Sequence, residues 1–421
     1  MTLPGPAGAA GGAEAATGRG EPVPAEGSFG SHGPGDSGAH GGSGRTNIRA
    51  GASGPGASGC LGGSDDSAGP GGPQGAGSAD GSGGAEGAGR AYGFRGLRQR
   101  LGAGEVVVLD GGLSNQLADQ GCDLADPLWT ARLLAEEPEQ IRAAHTAYLR
   151  AGAQVLTTAS YQATFEGFAR RGVGRAEAAG LLRRSVELAR EAADAWSAPR
   201  ADSAQSRSPA PSPASARGVD PGGGRPEVWV AASVGPYGAM LADGSEYRGR
   251  YGLSVRELAR FHRLRIEALA EAGPDVLALE TVPDVDEAEA MLAAAEGTGL
   301  PVWLSYTIEG RRTRAGQPLE DAFALAAGRD EVVAVGVNCC APGDAAEAVR
   351  LAKEVSGKAV VAYPNSGERW DAQAGRWAGD AAFDPESVAD WRESGARLVG
   401  GCCRVGPAGI AGIAAALRKN A

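Results

Sequence analysis

Val332-Val333-Ala334-Val335-Gly336-Val337-Asn338-Cys339-Cys340 is the stretch on which the fold turns. Its apolar residues run without alternation and are rich in β-branched valine, the pattern of a parallel strand buried on both faces. It then ends abruptly on an amide and two thiols. Working outward, seven further runs share this texture: Glu105–Leu109, Gln154–Ala159, Val228–Ser233, Asp275–Leu279, Val302–Tyr306, Ala359–Tyr363 and Arg397–Gly401. Amphipathic stretches lie between them, among them Pro138–Ala151, Arg175–Trp196, Ser254–Ala272, Asp284–Glu296 and Asp344–Val355. Ser254 followed by Glu257 has the spacing of a capping box and marks a helix start. Eight strands, each followed by a helix, predict an α/β fold of the (β/α)8 barrel type, with a doubly wound open sheet as the second choice.

Two segments stand outside this pattern. Residues 1–92 are mostly Gly, Ala, Ser and Pro, and such a chain cannot bury enough apolar surface to offset its ordering entropy. A disordered extension is expected there, with the barrel over 93–421. Residues 197–225 are again Ser-, Ala-, Pro- and Gly-rich, which predicts a flexible insertion between the second helix and third strand, on the face away from the chemistry.

The formal net charge of −11 argues against nucleic-acid binding. No apolar run is long enough to span a bilayer, and the N-terminal residues lack the charged-then-apolar order of a secretory signal. The expectation is a cytoplasmic protein. Its six cysteines, four of them in two adjacent pairs, then suit metal binding or redox work better than a disulfide framework.

Barrel catalysis draws on strand C-termini and the loops just beyond them. Those positions hold Asp110-Gly111-Gly112, Ser160-Tyr161-Gln162, Gly235-Pro236-Tyr237, Glu280-Thr281, Ser305-Tyr306-Thr307, Asn338-Cys339-Cys340, Pro364-Asn365-Ser366 and Gly401-Cys402-Cys403. Cysteine pairs ending the sixth and eighth strands would meet at the barrel mouth. Neighbouring thiolates from one strand plus a third from the other can fill three corners of a zinc tetrahedron and leave the fourth open, as catalytic sites do. Paired-histidine sites are excluded, since His32 and His40 lie in the extension and His145 and His262 inside helices. A three-thiolate site makes zinc a poor activator of water but a good holder of a thiol substrate as thiolate at neutral pH. Plainer roles compete: Asp110 can simply cap a turn, Trp129 can pack at a helix start and Asn365 can serve a turn.

Asp110-Gly111-Gly112, Tyr161-Gln162-Ala163, Leu279-Glu280-Thr281, Gly336-Val337-Asn338-Cys339 and Gly400-Gly401-Cys402-Cys403 resemble the motifs of the homocysteine S-methyltransferases, from about Glu105 to about Leu417. The resemblance implies a βα barrel with zinc on Cys339, Cys402 and Cys403, leaving Cys340 as a spare. It also implies methyl transfer from a sulfonium donor, S-methylmethionine or S-adenosylmethionine, to L-homocysteine. By the same resemblance Asp110 and Glu280 meet the homocysteine ammonium, and the N–H groups of Gly111 and Gly112 its carboxylate. Asn365 is expected to contact substrate from its position just after a strand, and the resemblance implies that Trp129 and Tyr161 face the cationic donor. A monomer is implied. Alternatives are a betaine-type enzyme, a methyltransferase for selenocysteine or another thiol, and a barrel that only senses zinc or thiol redox state.

Overall fold

The computed structural model describes residues 96–124, 126, 128, 130–198, 227–371 and 376–419, with backbone alone at 369–371 and 376–377. The extension expected over 1–92, Trp129 and all but the first two residues of the expected insertion lie outside the described residues.

Eight parallel strands form the centre: β1 (Val107–Val108), β2 (Val155–Thr157), β3 (Trp229–Val234), β4 (Val276–Val282), β5 (Val302–Tyr306), β6 (Val332–Asn338), β7 (Ala359–Tyr363) and β8 (Ala396–Val399). They are ordered β1-β8-β7-β6-β5-β4-β3-β2, and a parallel bridge between Leu109 and Val155 closes the ring. The crossing helices are α1 (Pro138–Ala151), α2 (Arg175–Ser197), α3 (Val255–Glu271), α4 (Val285–Ala295), α5 (Leu319–Ala324), α6 (Pro342–Ser356), α7 (Val388–Glu393) and α8 (Pro407–Lys419). This is the (β/α)8 barrel. The open sheet is set aside because its edges would be unpaired. The capping box at α3 is present, with Glu257 N–H on Ser254 Oγ and Ser254 N–H on the Glu257 carboxylate.

Two apolar layers explain why the strands lack alternation in sequence. Val230, Ala232 and Val234 of β3 pack outward in the cluster shared with the helices, whereas Trp229 and Ala231 pack inward. Most strand residues are covered on one side or the other, so polar alternation has little place to appear. Leu97 and Leu101, from a helical segment over 96–102, belong to the inner cluster. Arg100 of the same segment lies 5.4 Å from the ring centre of Trp229, the first residue of β3. The segment therefore plugs the N-terminal end of the barrel. The C-terminal end is polar instead, with Thr157, Ser233, Glu280, Ser305, Asn338 and Tyr363 closing successive strands.

Close strand packing makes one glycine indispensable. A Cβ on Gly336 would lie 1.9 Å from the Val361 carbonyl oxygen on β7. Gly336→Ala is expected to destabilise the barrel by at least about 1–3 kcal/mol, the usual scale of core overpacking. Urea unfolding checks this, and a midpoint equal to wild type would contradict it. Among the described residues no helix is long and apolar enough to cross a membrane.

Candidate active site

The ends of β6, β7 and β8 are laced together by main-chain bonds. Cys339 N–H donates to Tyr363 O at 3.2 Å, Cys402 N–H to Pro364 O at 2.8 Å, and Ser366 N–H to Cys403 O at 3.0 Å. Gly400 and Gly401 permit this. A Cβ on Gly400 would meet Asp110 O at 2.8 Å, and one on Gly401 would meet Val405 Cγ1 at 2.2 Å. Cys339 itself sits at φ 50°, a left-handed conformation unusual for a residue with a side chain and found most often where function demands it.

The result is a cluster of three thiols, Cys339, Cys402 and Cys403, whose sulfurs all lie within 4.8 Å of one another. The Cys339 and Cys403 sulfurs are 3.6 Å apart. A tetrahedral ion with metal–sulfur bonds of about 2.3 Å needs sulfurs about 3.8 Å apart, so the cluster fits a metal with little movement. Hydrogen bonds from Cys402 and then Cys403 pull the Cys339 thiol well below its ordinary range, while their hydrogen bonds to Cys339, with burial, push Cys402 and Cys403 up. A bound cation would compensate the two further charges that the trio resists holding by itself. Cys340 faces the opposite way, into the outer core, where burial pushes its thiol up. It is outside the cluster.

Asp110 and Glu280 are both buried at the barrel mouth. Thr157 serves Asp110 twice, donating from its N–H at 2.7 Å and from Oγ1 at 2.8 Å. Burial nevertheless raises Asp110 to about 7, and the charge of Glu280 adds to the rise. Glu280 lies within a register shift of β4, and the next residue, Thr281, is left-handed at φ 58°. Such a bulge re-aims a side chain. Here it turns Glu280 inward, where Ser233 Oγ donates to Oε1 and Tyr363 Oη lies 2.9 Å from Oε2. Burial raises Glu280 to about 7 as well.

Thr281 N–H donates to Asn338 Oδ1, and Asn338 Nδ2 donates to Thr281 Oγ1, each at 2.7 Å, which fixes the amide orientation. Ser305 Oγ then lies 2.7 Å from Asn338 Oδ1 and 2.8 Å from Tyr363 Oη. Tyr363 Oη donates to Glu280 Oε2 and accepts from Trp303 Nε1 at 3.2 Å, so the carboxylate sits at the end of a connected polar chain.

Asp110, Gly111, Gly112, Tyr161, Glu280 and the three clustered cysteines line one cavity of about 130 Å³, together with Glu246 and Tyr247. Gly112 N–H donates to Val405 O at 3.0 Å, so of the two glycines it is Gly111 whose N–H is left for a ligand. Asn365 is not among the lining residues. Its Oδ1 accepts from Cys403 N–H at 3.1 Å, and its side chain also bonds to Cys339, so it braces the cluster from behind. His145 and His262 are fully buried away from the cluster. Glu246 and Tyr247 escaped the sequence reading. They sit in a single 3-10 turn, Ser245–Tyr247, well beyond the end of β3, where no strand period points to them.

Three thiols that can hold a metal ion and two buried carboxylates, gathered around one small cavity at the mouth of a barrel, are the site of a metal-dependent enzyme. The chain belongs to the homocysteine S-methyltransferase family, whose sequence profile it matches over residues 107–417. It is 44% identical over 327 residues to homocysteine S-methyltransferase 4 of Zea mays, spanning 75% of this chain and 91% of that protein. It is 43% identical over 326 residues to homocysteine S-methyltransferase of Escherichia coli K12, spanning 76% and 97%. The crystal structure of the metallated form of homocysteine methyltransferase MmuM from Escherichia coli is similar, with TM-score 0.61 and 42% identity over 74% of this chain and 96% of that one.

Proposed function

We propose that this enzyme moves a methyl group from a sulfonium donor, S-methylmethionine above all, to the sulfur of L-homocysteine, with zinc held by Cys339, Cys402 and Cys403. The observation that carries the reading is the meeting of three thiols and two buried carboxylates in one cavity. Three soft sulfur ligands suit zinc, and zinc when bound supplies the charge that keeps a thiol substrate as thiolate at neutral pH.

The protein's own groups do the rest. Burial raises both Asp110 and Glu280, the charge of Glu280 adds to the rise at Asp110, and an ammonium between them relieves both effects. Homocysteine binding therefore ionises the pair, and affinity is expected to weaken as pH falls below about 7. Gly111 N–H, with the hydroxyls of Ser114 and Thr130 in the same cavity, receives the carboxylate. Held at both ends, the substrate presents its sulfur beside the cysteine cluster, and orientation removes much of the entropic barrier. The sulfur attacks the sulfonium methyl in line, methionine forms, and the donor leaves as a neutral thioether. No general base is needed for a sulfur that is already a thiolate. The reading also makes the enzyme a monomer of the cytoplasm, where its thiols stay reduced.

The test is a donor panel with homocysteine and zinc: S-methylmethionine, S-adenosylmethionine and betaine, with methionine formation measured by mass spectrometry. S-methylmethionine is expected to give the highest kcat/KM. Turnover with betaine alone would sink the sulfonium assignment.

A further inference from the structure

Glu246 lines the cavity, and nothing in the chemistry above uses it. It is half-buried, and its Oε2 is shielded from solvent without a hydrogen-bond partner. Withdrawing a carboxylate from water and leaving an oxygen unpaired costs several kcal/mol in round terms, so such a group marks a place where a partner arrives. The turn that carries it is firmly held. A Cβ on Gly238 would lie 2.4 Å from Glu246 N, Arg314 Nε donates to Tyr247 O at 3.3 Å, and Tyr247 Oη is 3.3 Å from Cys339 Sγ.

The charges around the cavity do not balance. Among the described residues lining it are three carboxylates, Asp110, Glu246 and Glu280, and three cysteines, with no lysine, arginine or histidine. The ammonium of homocysteine brings one charge to Asp110 and Glu280 and a divalent metal brings two to the three thiols, so the cavity remains short of positive charge before Glu246 is counted. Arg248, two residues away, is exposed and lies 3.7 Å from Asp243; its charge is the weakest of the influences on Glu246, whose carboxyl is pushed up by burial.

We propose that Glu246 is the counter-ion for the methyl donor, receiving its positive charge beside the rings of Tyr161 and Tyr247, and that it selects cationic donors. The proposal rests on the methyl-transfer reading and adds to it the residue that selects the donor. In the reaction the new S–CH3 bond forms on homocysteine as the sulfonium S–CH3 bond breaks, and the electron pair stays on the departing sulfur. The sulfonium charge is thus fading in the transition state. A carboxylate that attracts it binds the ground state at least as well as the transition state, so Glu246 lowers KM without raising kcat. Anionic donors are repelled.

The experiment uses the full zinc-loaded chain as wild type and as Glu246→Gln, which keeps the shape and removes the charge. S-methylmethionine is varied at saturating homocysteine, then the reverse, and methyl iodide serves as an uncharged donor. The expected result is a rise of about tenfold or more in KM for S-methylmethionine, the scale of one charge-assisted contact. Homocysteine KM, zinc stoichiometry and the rate with methyl iodide stay within about twofold. An unchanged donor KM overturns the assignment while leaving the methyl-transfer reading intact. A parallel loss with methyl iodide overturns it too, because Glu246 would then serve the nucleophile or the fold. Absence of any sulfonium turnover in wild type overturns the methyl-transfer reading itself, and the assignment with it.

Discussion

Cys402→Ala is expected to leave a folded barrel that no longer retains stoichiometric zinc and methylates homocysteine at least about 10³-fold more slowly. The fold survives because Cys402 is only partly buried at the barrel mouth and its N–H bond to Pro364 O belongs to the main chain. The chemistry does not, since two thiols cannot hold the ion against solvent as three do. A thiol with pKa near about 8.5 is mostly protonated at neutral pH, so the nucleophile is lost along with its position. Metal analysis and circular dichroism on the same sample check both halves. Cys340→Ala is the control, because that side chain packs in the outer core and faces away from the cavity.

Glu280→Gln has the second largest effect, and it runs in opposite directions for binding and stability. Homocysteine KM is expected to rise about 10- to 100-fold, because a charge-assisted contact to the ammonium becomes a neutral one. Stability moves the other way at alkaline pH. Folding raises this carboxyl from its ordinary 4.5 to about 7, so the folded protein resists ionisation that the unfolded chain accepts. The penalty is absent below about 4.5, grows as pH rises, and is complete above about 7. The amide avoids it, and its carbonyl oxygen can still accept from Tyr363 Oη. The variant is therefore expected to match wild type near pH 4.5 and to exceed it at pH 8 by on the order of 1–3 kcal/mol. Thermal unfolding of ligand-free protein at the two pH values checks this, and a variant less stable than wild type at pH 8 would contradict it.

All eight barrel strands were legible in the sequence because residues such as Val332–Val337 and Val302–Tyr306 are apolar on both faces, a requirement few other structures impose. Five of the eight crossing helices (α1, α2, α3, α4 and α6) were legible from their periodicity and, at α3, from the Ser254–Glu257 cap, whereas α5, α7 and α8 were not singled out. The thiol cluster was legible because cysteine pairs ended two strands, though choosing Cys339 over Cys340 drew on family resemblance. The backbone accounts for that choice: the left-handed turn at Cys339 sends the two sulfurs to opposite sides. Asn365 and Gly112 show the limit. Position after a strand suggests substrate contact equally for a residue that faces the cavity and for one that braces its neighbours, and only the hydrogen bonds to Cys403 N–H and Val405 O separate the two. Glu246 was hidden for another reason. It lies in a loop whose path is set by packing at Gly238 and by bonds to Arg314, interactions with no fixed spacing along the chain.

The central claim is that Cys339, Cys402 and Cys403 hold a zinc ion with room for the substrate sulfur. Zinc-edge X-ray absorption on the loaded protein, with and without L-homocysteine, tests it most directly. Three sulfur neighbours at about 2.3 Å, becoming four when homocysteine is added, are predicted. A sulfur count that homocysteine leaves unchanged, or one that persists after Cys402→Ala, would contradict the account.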